Sequence, residues 1–214
     1  DTKPEYYGIY KAIADGHALY SVGNNSYSYT SEEITSWADS LTTTNYNQFA
    51  GVHLQGSFNF SNISLINRHA FAFPYANTIW GTTVSCYLNF PKVTYISGAG
   101  FAENPDLRTI EASLCTNIEN YAFYSCRSLN TANFLACNSI GVSAFYYCSR
   151  LKTVSFPNLT HVGSYAFYSC YLLTEANFSN CTSINDYAFA YCSSLTSINF
   201  PNCSYISDNA FYSC

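Results

Sequence analysis

The apolar positions of this chain keep a fixed rhythm over its second half. Residues 151–172 read LKTVSFPNLTHVGSYAFYSCYL, and there Val154 and Phe156 alternate with Thr153 and Ser155. Alternation of that kind is the pattern of a strand with one face buried. An Ala-Phe pair follows about half a unit later and is placed to fill the same interior from the opposite wall. Its Phe recurs as Phe123, Phe145, Phe167, Phe189 and Phe211, a step of 22 residues each time.

The units from 107 (LRTIEASLCTNIENYAFYSC) and from 195 (LTSINFPNCSYISDNAFYSC) carry the same skeleton. Looser copies start near residues 85 and 55, the latter keeping Phe60, Ile63, Ile66 and Phe71. Between Phe71 and Phe101 the step is 30, so eight residues are inserted, and PYANTIWGTT (74–83) is the natural place for that loop. A fixed period of 20–29 residues is the mark of a solenoid of leucine-rich repeats. One coil cannot bury its own apolar edge; stacking the next coil on it does. The phrase recurs because each coil must show its neighbour the same shapes.

The first fifty residues break the rhythm. EYYGIYKAIADG (5–16) puts Tyr6, Ile9, Tyr10 and Ile13 on one side and ends at Gly16, which predicts a short helix with a C-cap. TSEEITSWADSL (30–41) carries a Thr30–Glu33 capping box and a stripe of Ile34, Trp37, Ala38 and Leu41, a second predicted helix. The polar stretch SVGNNSYSY separates them. Residues 1–54 therefore read as a small helical cap, or a docking segment, ahead of about seven 22-residue units in 55–214. The sequence stops at Cys214 straight after a repeat phrase, without a polar capping unit. The expectation is an open end that self-associates or a chain cut short.

Composition narrows the function. Only 10% of residues are charged and the net charge is −5, which argues against a nucleic-acid binder. Eight Lys and Arg scattered over the length make no polybasic membrane patch, and no apolar run approaches a membrane span. Ten cysteines suggest a disulfide framework at first. Yet Cys126, Cys148, Cys170, Cys192 and Cys214 form one 22-residue series, and Cys115, Cys137, Cys181 and Cys203 a second with Leu159 filling its gap. Such regularity marks repeat slots for a small buried hydrophobe, so the thiols are expected free.

The pattern L-x-x-φ-x-F-P followed by I/V-x-x-x-A-F-Y-x-C resembles the BspA-type leucine-rich repeat over roughly residues 55–214. The resemblance implies an α/β repeat solenoid: a right-handed coil with a parallel β-sheet on the concave side and short helical or turn segments on the convex side. It also implies an extracellular or cell-surface protein engaged in adhesion and ligand binding, and similar repeats occur on phage particles. In many such repeats an inward Asn forms a ladder between coils; Cys137, Cys181 and Cys203 occupy the slot assigned to it here. A thiol is a weak donor, so packing is the expected role of that slot.

No catalytic or metal constellation is present in the sequence. There is no CxxC, HExxH or GxSxG, and His17, His53, His69 and His161 share no ligand spacing. The expectation is a non-enzyme without cofactor. Two surfaces are candidates for binding. By alternation the concave face carries Ser57, Asn59, Tyr87, Asn89, Thr109, Glu111, Thr131, Asn133, Thr153, Ser155, Glu175, Asn177, Ser197 and Asn199. That ladder of neutral Thr, Ser and Asn with two carboxylates suits a glycan or an extended polymer, although any exposed parallel sheet needs polar, strand-tolerant residues. The convex side carries tyrosine stripes: Tyr124, Tyr146, Tyr168 and Tyr212 after the Phe, and Tyr121, Tyr165 and Tyr187 before the Ala. These rings either offer contact area to a ligand or shield the turns by stacking on one another. The sequons at Asn158, Asn180 and Asn202 arise readily in a repeat so rich in Asn and Ser. The expected function is a surface recognition module for a protein or glycan, with a structural subunit of a larger assembly, such as a virion, as the alternative.

Overall fold

The computed structural model describes residues 13–14, 17–22, 25–30, 40–46, 48–50, 54, 56–73 and 85–214. Each coil has two strands and a run of turns. The longer strands are β4 (Gly56–Asn59), β6 (Cys86–Asn89), β8 (Leu107–Glu111), β10 (Thr131–Asn133), β12 (Thr153–Ser155), β14 (Glu175–Asn177) and β16 (Ser197–Asn199). The shorter are β5 (Leu65–Ile66), β7 (Tyr95–Ile96), β9 (Asn117–Ile118), β11 (Ser139–Ile140), β13 (His161–Val162), β15 (Ser183–Ile184) and β17 (Tyr205–Ile206). All pair in parallel with the same strand of a neighbouring coil, Thr131 opposite Thr109 and Thr153, for instance. The short strands make one seven-stranded sheet, whereas the long ones divide into a five-stranded sheet and the pair β14–β16. Where they divide, Phe156 and Phe178 meet edge to face at 80°, unlike the stacked Phe134–Phe156 pair one coil earlier.

Local chemistry closes each coil. After the long strand, a turn in which the amide of Leu159 donates to the Phe156 carbonyl holds Pro157 second in the turn, where a fixed φ is an asset. Interior positions are filled by repeat: Leu107, Leu129, Leu151 and Leu173 from one wall, Ile118, Ile140, Val162 and Ile184 from another, all buried. Down the centre runs a column of parallel rings, Phe101–Phe123–Phe145–Phe167–Phe189–Phe211, with centroids 4.8–5.3 Å apart. Offset stacking of this kind adds about 0.5–1.5 kcal/mol per pair beyond burial.

The third wall departs from expectation. No helix exists among the described residues, so the fold is a β-solenoid rather than the expected α/β coil, and the convex segments are turns. The reason lies in where the amides go. Every second N–H reaches across to the next coil: Tyr121 donates to Val142, Phe123 to Ala144 and Ser125 to Tyr146. A helix would spend these amides within its own segment. Aiming them sideways requires left-handed residues at two positions per coil, among them Tyr121, Tyr165 and Tyr187 (φ 60°, 58° and 52°) and Ser125, Tyr147 and Ser169 (58°, 57° and 57°). Each costs about 1–2 kcal/mol for a residue with a Cβ, offset by the inter-coil bond it permits.

The helical cap is also not seen. Ile13–Ala14 (β1), His17–Val22 (β2) and Asn25–Thr30 (β3) form a three-stranded antiparallel sheet, so the helix expected over 5–16 meets a strand at Ile13–Ala14 and its remainder lies outside the described residues. The stretch expected to separate two helices is itself the β2–β3 hairpin. Of the helix expected over 30–41, Thr30 ends β3, Ser40 and Leu41 are non-helical and 31–39 lie outside the described residues. So does the expected insertion at 74–83. Within 1–54, the described residues of 41–50 already follow coil geometry: Thr43 bridges Leu65, the Phe49 amide donates to the Ala70 carbonyl, and Phe49 stacks on Phe71 at 4.6 Å.

Candidate functional site

The ten cysteines are free, eight of them buried. In the first series each thiol donates across to the preceding coil, Cys126 to the Phe101 carbonyl (3.0 Å), Cys148 to Phe123 (3.1 Å) and Cys192 to Phe167 (3.2 Å). One coil before Cys126 the same slot holds Asn104, whose Nδ2 donates to the Phe71 carbonyl while its Oδ1 accepts from the amides of Asp106 and Leu107. This is the ladder slot. The assignment to Cys137, Cys181 and Cys203 is therefore corrected: those thiols donate to carbonyls of their own coil, at Ser139, Ser183 and Tyr205. Burial pushes the thiols up, Cys115 and Cys137 to about 12, which leaves them protonated and poor nucleophiles.

Asn104 yields a prediction. Asn104→Leu removes the partner of three buried backbone groups and should lower the unfolding free energy by about 2–3 kcal/mol. Asn104→Cys, which keeps the donor to the Phe71 carbonyl but not the acceptor for the Asp106 and Leu107 amides, should cost less than Asn104→Leu. Urea titrations of the two variants measure the difference.

The long-strand face is polar as alternation predicts. Tyr87, Asn89, Glu111, Thr153, Glu175, Asn177, Ser197 and Asn199 are exposed, and Thr109, Thr131, Asn133 and Ser155 half-buried. Side chains bridge neighbouring strands: Asn89 Nδ2 donates to Asn59 Oδ1 (2.9 Å), Asn199 Nδ2 to Asn177 Oδ1 (3.0 Å), and Thr153 Oγ1 to Thr131 Oγ1 (3.2 Å). Each bridge fixes a rotamer and still leaves one amide hydrogen or lone pair for a ligand. Tyr87 stands among them with 49% of its surface exposed.

The tyrosine stripes behave differently. Tyr124, Tyr146 and Tyr168 stack at 5.1 and 4.8 Å, and Tyr165 on Tyr187 at 5.3 Å. Ala190 takes the next slot after Tyr168, and Tyr191 meets Tyr168 edge-on instead. Tyr212 packs edge-on against Tyr187 and Tyr191. Faces so occupied are closed to a flat ligand. Tyr121 meets Tyr124 edge-on at 6.0 Å, and its row neighbours Ala99 and Ser143 present no ring to stack on it.

His69 sits against Tyr46 (5.5 Å, edge-on) and accepts from Arg68 Nε; partial burial, then that guanidinium, lowers its basicity. His161 is exposed. Among the described residues no group of three or more His, Cys, Asp or Glu is placed to hold a metal ion. Among those residues, too, no helix is long and apolar enough to cross a membrane. The sequence reading missed two things. One is Asn104, visible as the odd residue in a cysteine series. The other is a cleft beside Tyr121, signalled by Gly98-Ala99 where other units carry larger side chains.

No curated protein matches the sequence. Among solved structures, a leucine-rich repeat protein from Bacteroides ovatus superposes with a TM-score of 0.60 at 24% identity, over 82% of this chain and 51% of that one. A leucine-rich repeat protein from Eubacterium ventriosum gives a TM-score of 0.51 at 20% identity, over 58% of this chain and 42% of that one. At such identities the likeness is one of fold, and this chain spans about half the length of those proteins or less. The BspA type Leucine rich repeat region matches residues 81–158 and 116–214 in six copies, and with the 22-residue coil observed over the same residues the chain is a member of the BspA-type leucine-rich-repeat family.

Proposed function

We propose that the chain is a non-enzymatic recognition module of a cell surface, binding a protein or glycan across its long-strand face. The observation that carries the reading is that face: a polar row of Asn, Thr and Ser with two exposed carboxylates, Glu111 and Glu175, pre-ordered by its own bridges, with Tyr87 as an aromatic anchor. Pre-ordering lowers the entropic cost of binding, and exposed tyrosines are recurrent anchors of recognition surfaces. Family membership supports the same reading. The tyrosine stripes fit it less well, since their rings are spent on one another.

The test is a binding panel of immobilised extracellular-matrix proteins and surface polysaccharides. A probe should bind, and Tyr87→Ala should weaken it about tenfold or more, the scale of an anchor worth above about 1.4 kcal/mol. Silence across the panel together with a concentration-dependent rise in mass by light scattering would favour the structural-subunit reading instead.

A further inference from the structure

The outward corner between the short-strand sheet and the turns carries one row of side chains per coil. In successive coils the row reads Arg68-His69, Gly98-Ala99, Asn120-Tyr121, Val142-Ser143, Ser164-Tyr165 and Asp186-Tyr187. At Gly98-Ala99 the row is nearly empty. The result is a cleft of about 470 Å³, walled by Arg68 on one side and by Glu119, Asn120 and Tyr121 on the other. Its walls stand two coils apart, ~10 Å at the usual strand spacing.

The groups around this cleft are held in place and still have capacity. Glu119 accepts from the Gly98 amide (2.7 Å) and from the Tyr95 hydroxyl, which fixes the carboxylate. Asn120 Oδ1 accepts from the Val142 amide (2.8 Å), which orients its Nδ2 without using it. Arg68 uses Nε on His69 and has both terminal amino groups left. Tyr121, 48% exposed, meets Tyr124 edge-on and is the ring whose row neighbours cannot stack on it.

The charges decide the ligand class. An anion entering beside Arg68 meets the Glu119 carboxylate, and a cation drawn to Glu119 meets the Arg68 guanidinium. The pair favours a neutral molecule with many hydroxyls, which accept from Arg68 and Asn120 and donate to carboxylate lone pairs. A pyranose ring also presents axial C–H groups to the electron-rich face of an aromatic ring. We infer that the cleft at Gly98-Ala99 is a subsite for one neutral hexose residue of a glycan, with Tyr121 as its stacking platform and Arg68, Glu119 and Asn120 as its hydroxyl contacts. It lies off the long-strand face, so it stands or falls apart from the reading above.

The test is an amide-resolved NMR titration of the whole chain with methyl glycosides of glucose, galactose, mannose and N-acetylglucosamine, with glucuronate and glucosamine as charged controls. At least one neutral glycoside should shift the Gly98, Ala99 and Tyr121 amides with millimolar affinity, the scale for a single sugar contact. Ala99→Tyr refills the row with the residue that Tyr121, Tyr165 and Tyr187 provide in the same left-handed conformation, as Ala99 itself has φ 56°. It should fold and weaken the shifts at least tenfold. Tyr121→Ser, which copies Ser143, is the second variant and should do the same. The inference is overturned if no neutral glycoside shifts these amides, if a charged sugar binds more tightly, or if both variants bind as the wild type does.

Discussion

Raising the pH from about 8 to about 10 should unfold this protein cooperatively. Cys86, Cys115, Cys126, Cys137, Cys148, Cys170 and Cys192 are buried, and in each case desolvation is the largest cause of a pKa raised above the ordinary 9.0. Below pH 9 the thiols carry protons whether the chain is folded or not, so they add no pH dependence. Above it the unfolded chain sheds protons that the folded chain keeps, the folded state binds more, and stability falls as pH rises. Each thiol loses about 1.4 kcal/mol per pH unit in that window. Seven together remove roughly 10 kcal/mol at pH 10, comparable to the whole stability of an ordinary domain. Urea midpoints measured anaerobically with reductant at pH 7, 8.5 and 10 check this. A midpoint unchanged at pH 10 would mean that the thiols ionise in place or are not buried.

The second large effect belongs to the ring column. Phe145 is fully buried, stacked on Phe123 at 4.8 Å and Phe167 at 5.2 Å, and edge-on to Phe134 and Phe156. Phe145→Ala removes the ring from the middle of a stack whose neighbours are held by two sheets and cannot collapse into the space. It should cost about 3–5 kcal/mol, the usual range for a large cavity. Phe211→Ala, at a half-buried ring with a stacked partner on one side, should cost clearly less. Equal losses at both sites would argue that the column does not act as a continuous core.

Much of this was legible in the residues because a solenoid repeats its reasons. Phe123 to Phe211 at a step of 22 gave away the coil, and the alternation around Val154 gave the polar face. What escaped needed information that no single unit carries. Tyr165 looks like any surface tyrosine, yet its left-handed backbone and the sideways amides around it replace the helices expected on the convex side. Asn104 looks like a lapse in a cysteine series until its three hydrogen bonds show that the cysteines are doing the work of an asparagine. At the start of the chain, Tyr6, Ile9 and Tyr10 suggested helical period, while NSYSYT after Gly23-Asn24 already alternated with the period of a hairpin. Phe49, one step of 22 before Phe71, was there to be counted.

The same economy separates structure from recognition. Slots facing the interior are nearly invariant from coil to coil, since each must fit the next; the outward slots differ, and any specificity lies in them. The most direct measurement compares wild type with Thr131→Arg/Thr153→Arg on a surface probe that binds the wild type. These threonines pair with each other in the middle of the long-strand face, Thr153 exposed and Thr131 half-buried, and neither belongs to the core, so two arginines alter the face and leave the core side chains in place. The account predicts loss of binding with the urea midpoint unchanged. Undiminished binding by the folded double variant would contradict it and move recognition off this face.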